Sequence, residues 1–221
     1  MRTLKLTDGP ETVHTALRVL ALRLTARPDT RALAISVGAA RDALGAALAT
    51  WQDARDARVA ATGTVAFADA LEDDAIAGLA RRVRVLTGGE KDAPLWQKLF
   101  AARAPSDTTE GLATPEQAAL ARLVANVLLT DPAAASLADE LPALDDARAA
   151  VEAAQVARAA AETDELTAWN ALQLAETAAR DAYNGAVPQL MILFPGGKRL
   201  VDSFFVTRSA PRAGEDEPDA S

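Results

Sequence analysis

The chain has 221 residues, 50% of them hydrophobic but only 4% aromatic, and about a quarter are alanine. It contains no cysteine and one histidine, which excludes disulfides, a thiolate nucleophile and any cysteine- or multi-histidine metal site within one chain. Twenty-three basic residues against thirty-one acidic ones leave a net charge of −8, the wrong balance for general nucleic-acid binding.

The residues before Pro10 carry no signal-peptide core, because Asp8 and Pro10 cut the apolar stretch short. No uncharged apolar run approaches the ~18 residues of a membrane span, so the sequence predicts no transmembrane segment and a cytoplasmic setting. Alanine is joined by Leu, Arg, Glu and Gln, all good helix formers. Strand-like alternation is almost absent, and the class reads as all-α.

In chain order, Pro10-Glu11 opens a short apolar-periodic run over about 11–26, closed by Pro28. A long run follows, with a seam at Leu33, Val37, Ala40, Leu44, Ala47, Trp51, Ala54, Arg58, Ala61, Val65 and Ala68. Gly38, Gly45, Gly63 and Gly78 weaken it, each by up to about 1 kcal/mol relative to alanine. Gly88-Gly89 ends the run and leads into the apolar segment Leu95-Trp96-Gln97-Lys98-Leu99-Phe100.

The second short helix spans about 116–130, with Thr114 as N-cap, Pro115 at its first position and Gln117 at capping-box spacing. Asp131 before Pro132 repeats the cap for the next helix. From Ala143 to Asn184 there is neither Gly nor Pro, a run on the order of 60 Å, and Gly185 is expected to end it. Its seam runs Ala147, Val151, Ala154, Arg158, Ala161, falters near Glu165, and resumes at Leu172, Ala175, Ala179 and Ala182. Pro195-Gly196-Gly197-Lys198 leads to Phe204-Phe205, and residues 209–221 form an acidic tail expected to be disordered.

This punctuation occurs twice. Pro10, Pro28, Gly88-Gly89, Phe100, Arg103 and Pro105 correspond to Pro115, Pro132, Gly196-Gly197, Phe205, Arg208 and Pro211, at offsets near 105 residues. The pattern predicts an elongated helical bundle of two tandem pseudo-symmetric repeats, residues 1–110 and 111–208, with the tail at 209–221. Each repeat has a short helix, a long alanine-rich helix and an apolar terminal segment. A sustained 3–4 seam is the coiled-coil-like signature of near-parallel packing, and alanine lets helix axes approach toward the short end of about 8–10 Å. Two readings of the long runs stay open, a continuous helix or a hairpin at Thr62-Gly63-Thr64 and Thr163-Asp164. The continuing seam favours the continuous helix.

Function is less legible. Trp96, Leu99, Phe100, Phe194, Phe204 and Phe205 are either aromatic anchors for a protein partner or plugs that fold back over the bundle ends. A bundle poor in large side chains favours plugs. Gly196-Gly197-Lys198 fails as a phosphate loop, since Ile192 stands where the earlier glycine is needed and Arg199 replaces the hydroxyl residue. His14 has no second ligand. Glu72-Asp73-Asp74 and Asp145-Asp146 lack calcium-loop spacing, and no Glu-x-x-His is present. Ser136 and Ser203 lack a nucleophile-elbow context. No catalytic residue, cofactor or metal is nominated. The expectation is a non-catalytic helical scaffold or protein–protein interaction protein, a subunit of a larger assembly that self-associates or binds a protein partner. The alternative is an amphipathic-helix, phasin-like coat on a lipid or polymer granule, although the acidic charge opposes anionic lipid.

Overall fold

In the computed structural model, residues 3–100, 104–105 and 115–205 are described, and every regular element among them is helical. Helix α1 (Pro10–Thr25) is followed by a 3-10 turn at Pro28–Thr30, then α2 (Arg31–Leu86) and α3 (Pro94–Phe100). Helix α4 (Pro115–Thr130) leads through a 3-10 stretch, Pro132–Glu140, into α5 (Leu141–Leu193) and α6 (Lys198–Phe204).

Proline sets most of these limits. Pro10 sits at the first position of α1, and the Val13 N–H donates to Gly9 O at 3.1 Å. Arg27 is extended at φ −129° and ψ 132°, as a residue before proline must be. The break is held by the buried Thr30 hydroxyl, which donates to Leu24 O at 2.5 Å. The Asp131 carboxylate accepts from Ala133 N at 2.9 Å, so it caps the 3-10 stretch and not the long helix directly. Pro142 fits best in a first helical turn, and α5 accordingly starts at Leu141.

Both long helices are continuous. Helix α2 runs 56 residues straight through Gly63, and α5 runs 53 residues through Asp164. Gly185 does not end α5, contrary to the sequence expectation, and Pro188 lies inside the helix. An interior proline costs ~3 kcal/mol. Here Tyr183, Ala186 and Leu190 around it are buried, and their burial outweighs the lost backbone bond. Helix α2 stops at a glycine pair with φ +64° at Gly88 and +88° at Gly89. Gly89 N donates to Arg84 O at 2.8 Å and Gly88 N to Val85 O at 3.2 Å, the paired bonds of a Schellman end.

The chain folds into two compact units, Met1–Asp53 with Leu166–Ser221, and Ala54–Glu165. Each therefore draws on both halves of the sequence, and the boundary falls inside α2 and α5. The core of the first unit gathers Leu17, Leu20, Leu24, Leu44, Leu172, Tyr183, Leu190 and Phe205. Its N-terminal segment is tied down by Arg180, whose Nη2 donates to Leu6 O at 3.1 Å and Asp8 O at 2.6 Å. The second unit centres on Ile76, Leu79, Val83, Trp96, Leu99, Phe100, Val124, Leu137 and Leu144. A smaller cluster there joins Val65 and Ala68 of α2 to Val151 and Ala154 of α5.

Thr114, the repeat marks Arg103, Arg208 and Pro211, the limits at 110/111 and 208/209, and the tail 209–221 lie outside the described residues.

Candidate functional site

The six residues nominated as anchors or plugs divide between the units. Trp96, Leu99 and Phe100 are buried in the second unit's core, where the Trp96 and Phe100 rings stand 4.9 Å apart. Phe204 and Phe205 are buried in the first unit's core, and Phe194 is half-buried against it. Phe205 meets Tyr183 edge to face at 5.2 Å, and Phe194 stacks on Phe204 at 6.2 Å with Arg27 over its ring, 4.9 Å from the centroid. All six side chains are thus engaged within their own unit.

The seams read from the sequence lie on the buried sides of α2 and α5, and their polar members are paired. Within the second unit Arg58 pairs with Glu165, Glu72 with Arg148 and Arg82 with Glu140. Partner numbers fall from Glu165 and Arg148 of α5 to Glu140 of the preceding 3-10 stretch as they rise along α2, which makes the two segments antiparallel there. The apparent gap in the second seam at Glu165 is the place where this carboxylate meets Arg58. Arg158 instead reaches along its own helix to Glu162, at 3.3 Å.

Glu72 is the least expected group. Its relative exposure is 0%, and neither carboxylate oxygen has a hydrogen-bond donor within normal geometry. Arg148 Nη1 is 3.5 Å from Oε1, while the same guanidinium gives its Nε to Glu152 at 3.0 Å. Burial raises the Glu72 carboxyl above its ordinary value, against the opposing pull of Arg148, and the Asp69 and Glu152 charges push the same way as burial. In the sequence Glu72 stands in an acidic cluster with Asp73 and Asp74. Successive helical residues turn about 100° apart, so Glu72 is buried while Asp74 is exposed. Its spacing of four from Ala68 and from Ile76 puts it on the seam, a signal the sequence did carry.

Among the described residues no three His, Cys, Asp or Glu side chains converge as metal ligands. Asp145 and Asp146 are exposed near the start of α5. His14 is half-buried, and its Nε2 would stand 3.1 Å from a β-carbon at Gly45. The ring packs on the glycine surface of α2.

Among the described residues, the clefts on the second unit include two of similar size. One, of about 260 Å³, is lined by Lys98, Val127, Thr130, Asp131 and Pro132. Its charges are neutralised internally, since Lys98 Nζ lies 2.6 Å from Asp131 Oδ2. The Lys98 ammonium and then the Ala133 N–H lower the Asp131 carboxyl below its ordinary value. The other, of about 250 Å³, is bordered by Arg81, Arg84, Lys91 and Trp96. Among the described residues none of these three cations makes an ion pair. Nothing in their sequence spacing marks a loop residue and two helical ones as neighbours.

Large apolar side chains stand exposed along both long helices, including Phe67 at 67% and Val85 at 81% on α2 and Leu174 at 74% and Ile192 at 78% on α5. The stretch Pro28–Leu86 contains an eighteen-residue window of mean hydropathy 1.4, of which 22% is buried. By length and composition such a helix can cross a bilayer, a test that core helices of water-soluble proteins also pass. No protein-family model, curated protein or solved structure matches this chain.

Proposed function

We propose that the chain is a non-catalytic helical interaction protein that presents the exposed apolar side chains of α2 and α5 to another copy of itself or to a protein partner. The observation that carries this reading is the exposure of Phe67, Val85, Leu174 and Ile192, large apolar side chains whose burial against a partner is favourable. The reactive-residue inventory supports the non-catalytic part: no cysteine and a single histidine. The proposal includes an internal duplication, supported by the order of elements. A 16-residue helix, a 3-10 stretch opened by proline, a helix of more than fifty residues and a 7-residue helix occur twice.

Light scattering on the full chain across a wide concentration range tests the reading, together with a pull-down from native lysate. Self-association, or a stoichiometric complex, that Phe67→Lys or Leu174→Lys abolishes without loss of helicity is expected. A monodisperse monomer that recovers no stoichiometric partner overturns it.

A second reading, a coat on a lipid or polymer granule, draws on the apolar, mostly exposed window in Pro28–Leu86. It requires the apolar face to lie in an interface. Failure to co-sediment with neutral vesicles or polymer granules at low salt removes it.

A further inference from the structure

We propose that the cleft bordered by Arg81, Arg84, Lys91 and Trp96 binds a small multivalent oxyanion, a phosphate-bearing compound. Three positive side chains converge on about 250 Å³ in a chain whose net charge is −8, and among the described residues no carboxylate pairs with them. Several other cations of the same unit are neutralised one by one: Arg58 by Glu165, Arg82 by Glu140, Lys98 by Asp131 and Arg148 by Glu72 and Glu152, whereas the three at this cleft share one small space. Uncompensated like charges repel one another, and a bound anion removes that cost.

The bland explanation is that a last-turn arginine complements the helix dipole. It covers Arg84 only in part. The terminal carbonyls of Val83, Arg84 and Val85 already accept from Thr87, Gly89 and Gly88, so the cations are not consumed in capping α2. Nor does it cover Lys91, which lies beyond the helix in the loop. That loop is fixed on both sides, by the positive-φ glycines Gly88 and Gly89 and by the Gln97 side chain, whose Nε2 donates to Lys91 O at 2.7 Å. Arg84 is held over the Trp96 ring, 5.4 Å from its centroid, and Arg81 folds back so that its Nη2 lies 3.9 Å from the β-carbon position of Gly78.

Chemistry and size set the ligand class. Two guanidinium groups with one ammonium match the several oxygens of a phosphate or pyrophosphate group, which guanidinium binds bidentately. Ala77 and Ala80 add a small apolar wall. The cleft falls below the about 300–1,000 Å³ usual for ligand pockets, so it suits a compact phosphate-bearing group and not a dinucleotide.

Inorganic pyrophosphate at low salt is the first probe, titrated by calorimetry into the full unaltered chain. In parallel, Trp51→Phe with Trp169→Phe leaves Trp96 as the one tryptophan, whose emission should change saturably with the same affinity. Arg84→Gln and Lys91→Gln should each weaken binding about tenfold, the loss of one charged hydrogen bond. Arg199→Gln, an exposed cation of the other unit, should leave it unchanged. No saturable binding, or an equal loss in Arg199→Gln, overturns the proposal. Vesicles of phosphatidylcholine with and without a phosphoinositide identify the source: Arg84-dependent capture of the phosphoinositide vesicles assigns a lipid headgroup, and pyrophosphate binding without capture assigns a soluble ligand.

Discussion

Arg148 holds its Nη1 3.5 Å from Oε1 of Glu72 while its Nε lies 3.0 Å from Glu152. One guanidinium is divided between two carboxylates, and the one it serves less closely is the one wholly enclosed. Burial therefore dominates, and the Glu72 carboxyl is raised from its ordinary value. A carboxyl raised in the folded state binds its proton more tightly there than in the unfolded chain. Its ionisation destabilises the fold above the folded pKa, and the penalty disappears as pH falls toward the usual glutamate value of about 4.3. Thermal melts are expected to show this group adding stability as pH is lowered through that window. Glu72→Gln should flatten that part of the profile and leave neutral-pH stability equal or higher.

The converse substitution separates the pair's attraction from the cost of burying it. Arg148→Met leaves Glu72 enclosed without its cation, so that its ionisation at neutral pH should cost about 3 kcal/mol. Acidification should restore part of that loss, because a protonated Glu72 needs no counter-ion. In the double variant Glu72→Gln with Arg148→Met the neutral-pH loss should shrink. If denaturant melts show no pH dependence for the Arg148→Met penalty, the assignment of the charge to Glu72 is wrong.

The seam was legible because alanine, leucine and valine at 3–4 spacing have no other explanation, and the short helices were legible from Pro10, Pro28, Pro115 and Pro132. The continuity of the long helices followed from the same seam. The end of α5 was not legible. Gly185 and Pro188 carry strong local stop signals, and only the burial of Tyr183, Ala186 and Leu190 overrides them, a tertiary effect without local trace. The partition into units was hidden for a related reason. Contacts such as Arg58 with Glu165 join residues far apart in sequence, and a linear reading pairs neighbours. Of the candidate site, the aromatic segments could be seen as compositional exceptions. The Arg81, Arg84 and Lys91 cleft could not, since it depends on how the Gly88-Gly89 turn redirects the chain.

The glycines of α2 give a test in which two chemically identical changes differ. A β-carbon at Gly63 meets nothing within 4 Å, whereas at Gly45 it meets His14 Nε2 at 3.1 Å. Gly63→Ala should therefore stabilise the protein by about 0.5–1 kcal/mol, through helix propensity and a less free unfolded chain. Gly45→Ala gains the same propensity but must displace the His14 ring, and should stabilise less or not at all. His14→Ala combined with Gly45→Ala should recover the gain at position 45. Equal effects of the two single substitutions, measured by urea denaturation, would show that His14 does not press on α2.

The aromatic ends of the chain distinguish a plug from an anchor energetically. Phe205 is 1% exposed and lies edge to face on Tyr183 at 5.2 Å, and Arg23 Nη1 donates to the carbonyls of Ser203 and Phe205 at 2.9 and 2.7 Å. A side chain so enclosed contributes to the isolated protein whether or not a partner is present. Phe205→Ala should cost about 3–5 kcal/mol, read as a lower urea midpoint with an unchanged slope. Phe194, half-buried on the same core, should cost less when truncated, about 1–2 kcal/mol in proportion to its smaller enclosed area. Arg23→Gln tests the attachment of the segment itself, and should speed amide exchange through α6 while leaving α3 in the other unit unaffected. Were Phe205→Ala to leave the urea midpoint in place and abolish only self-association or partner binding, its ring would be an anchor and not a plug.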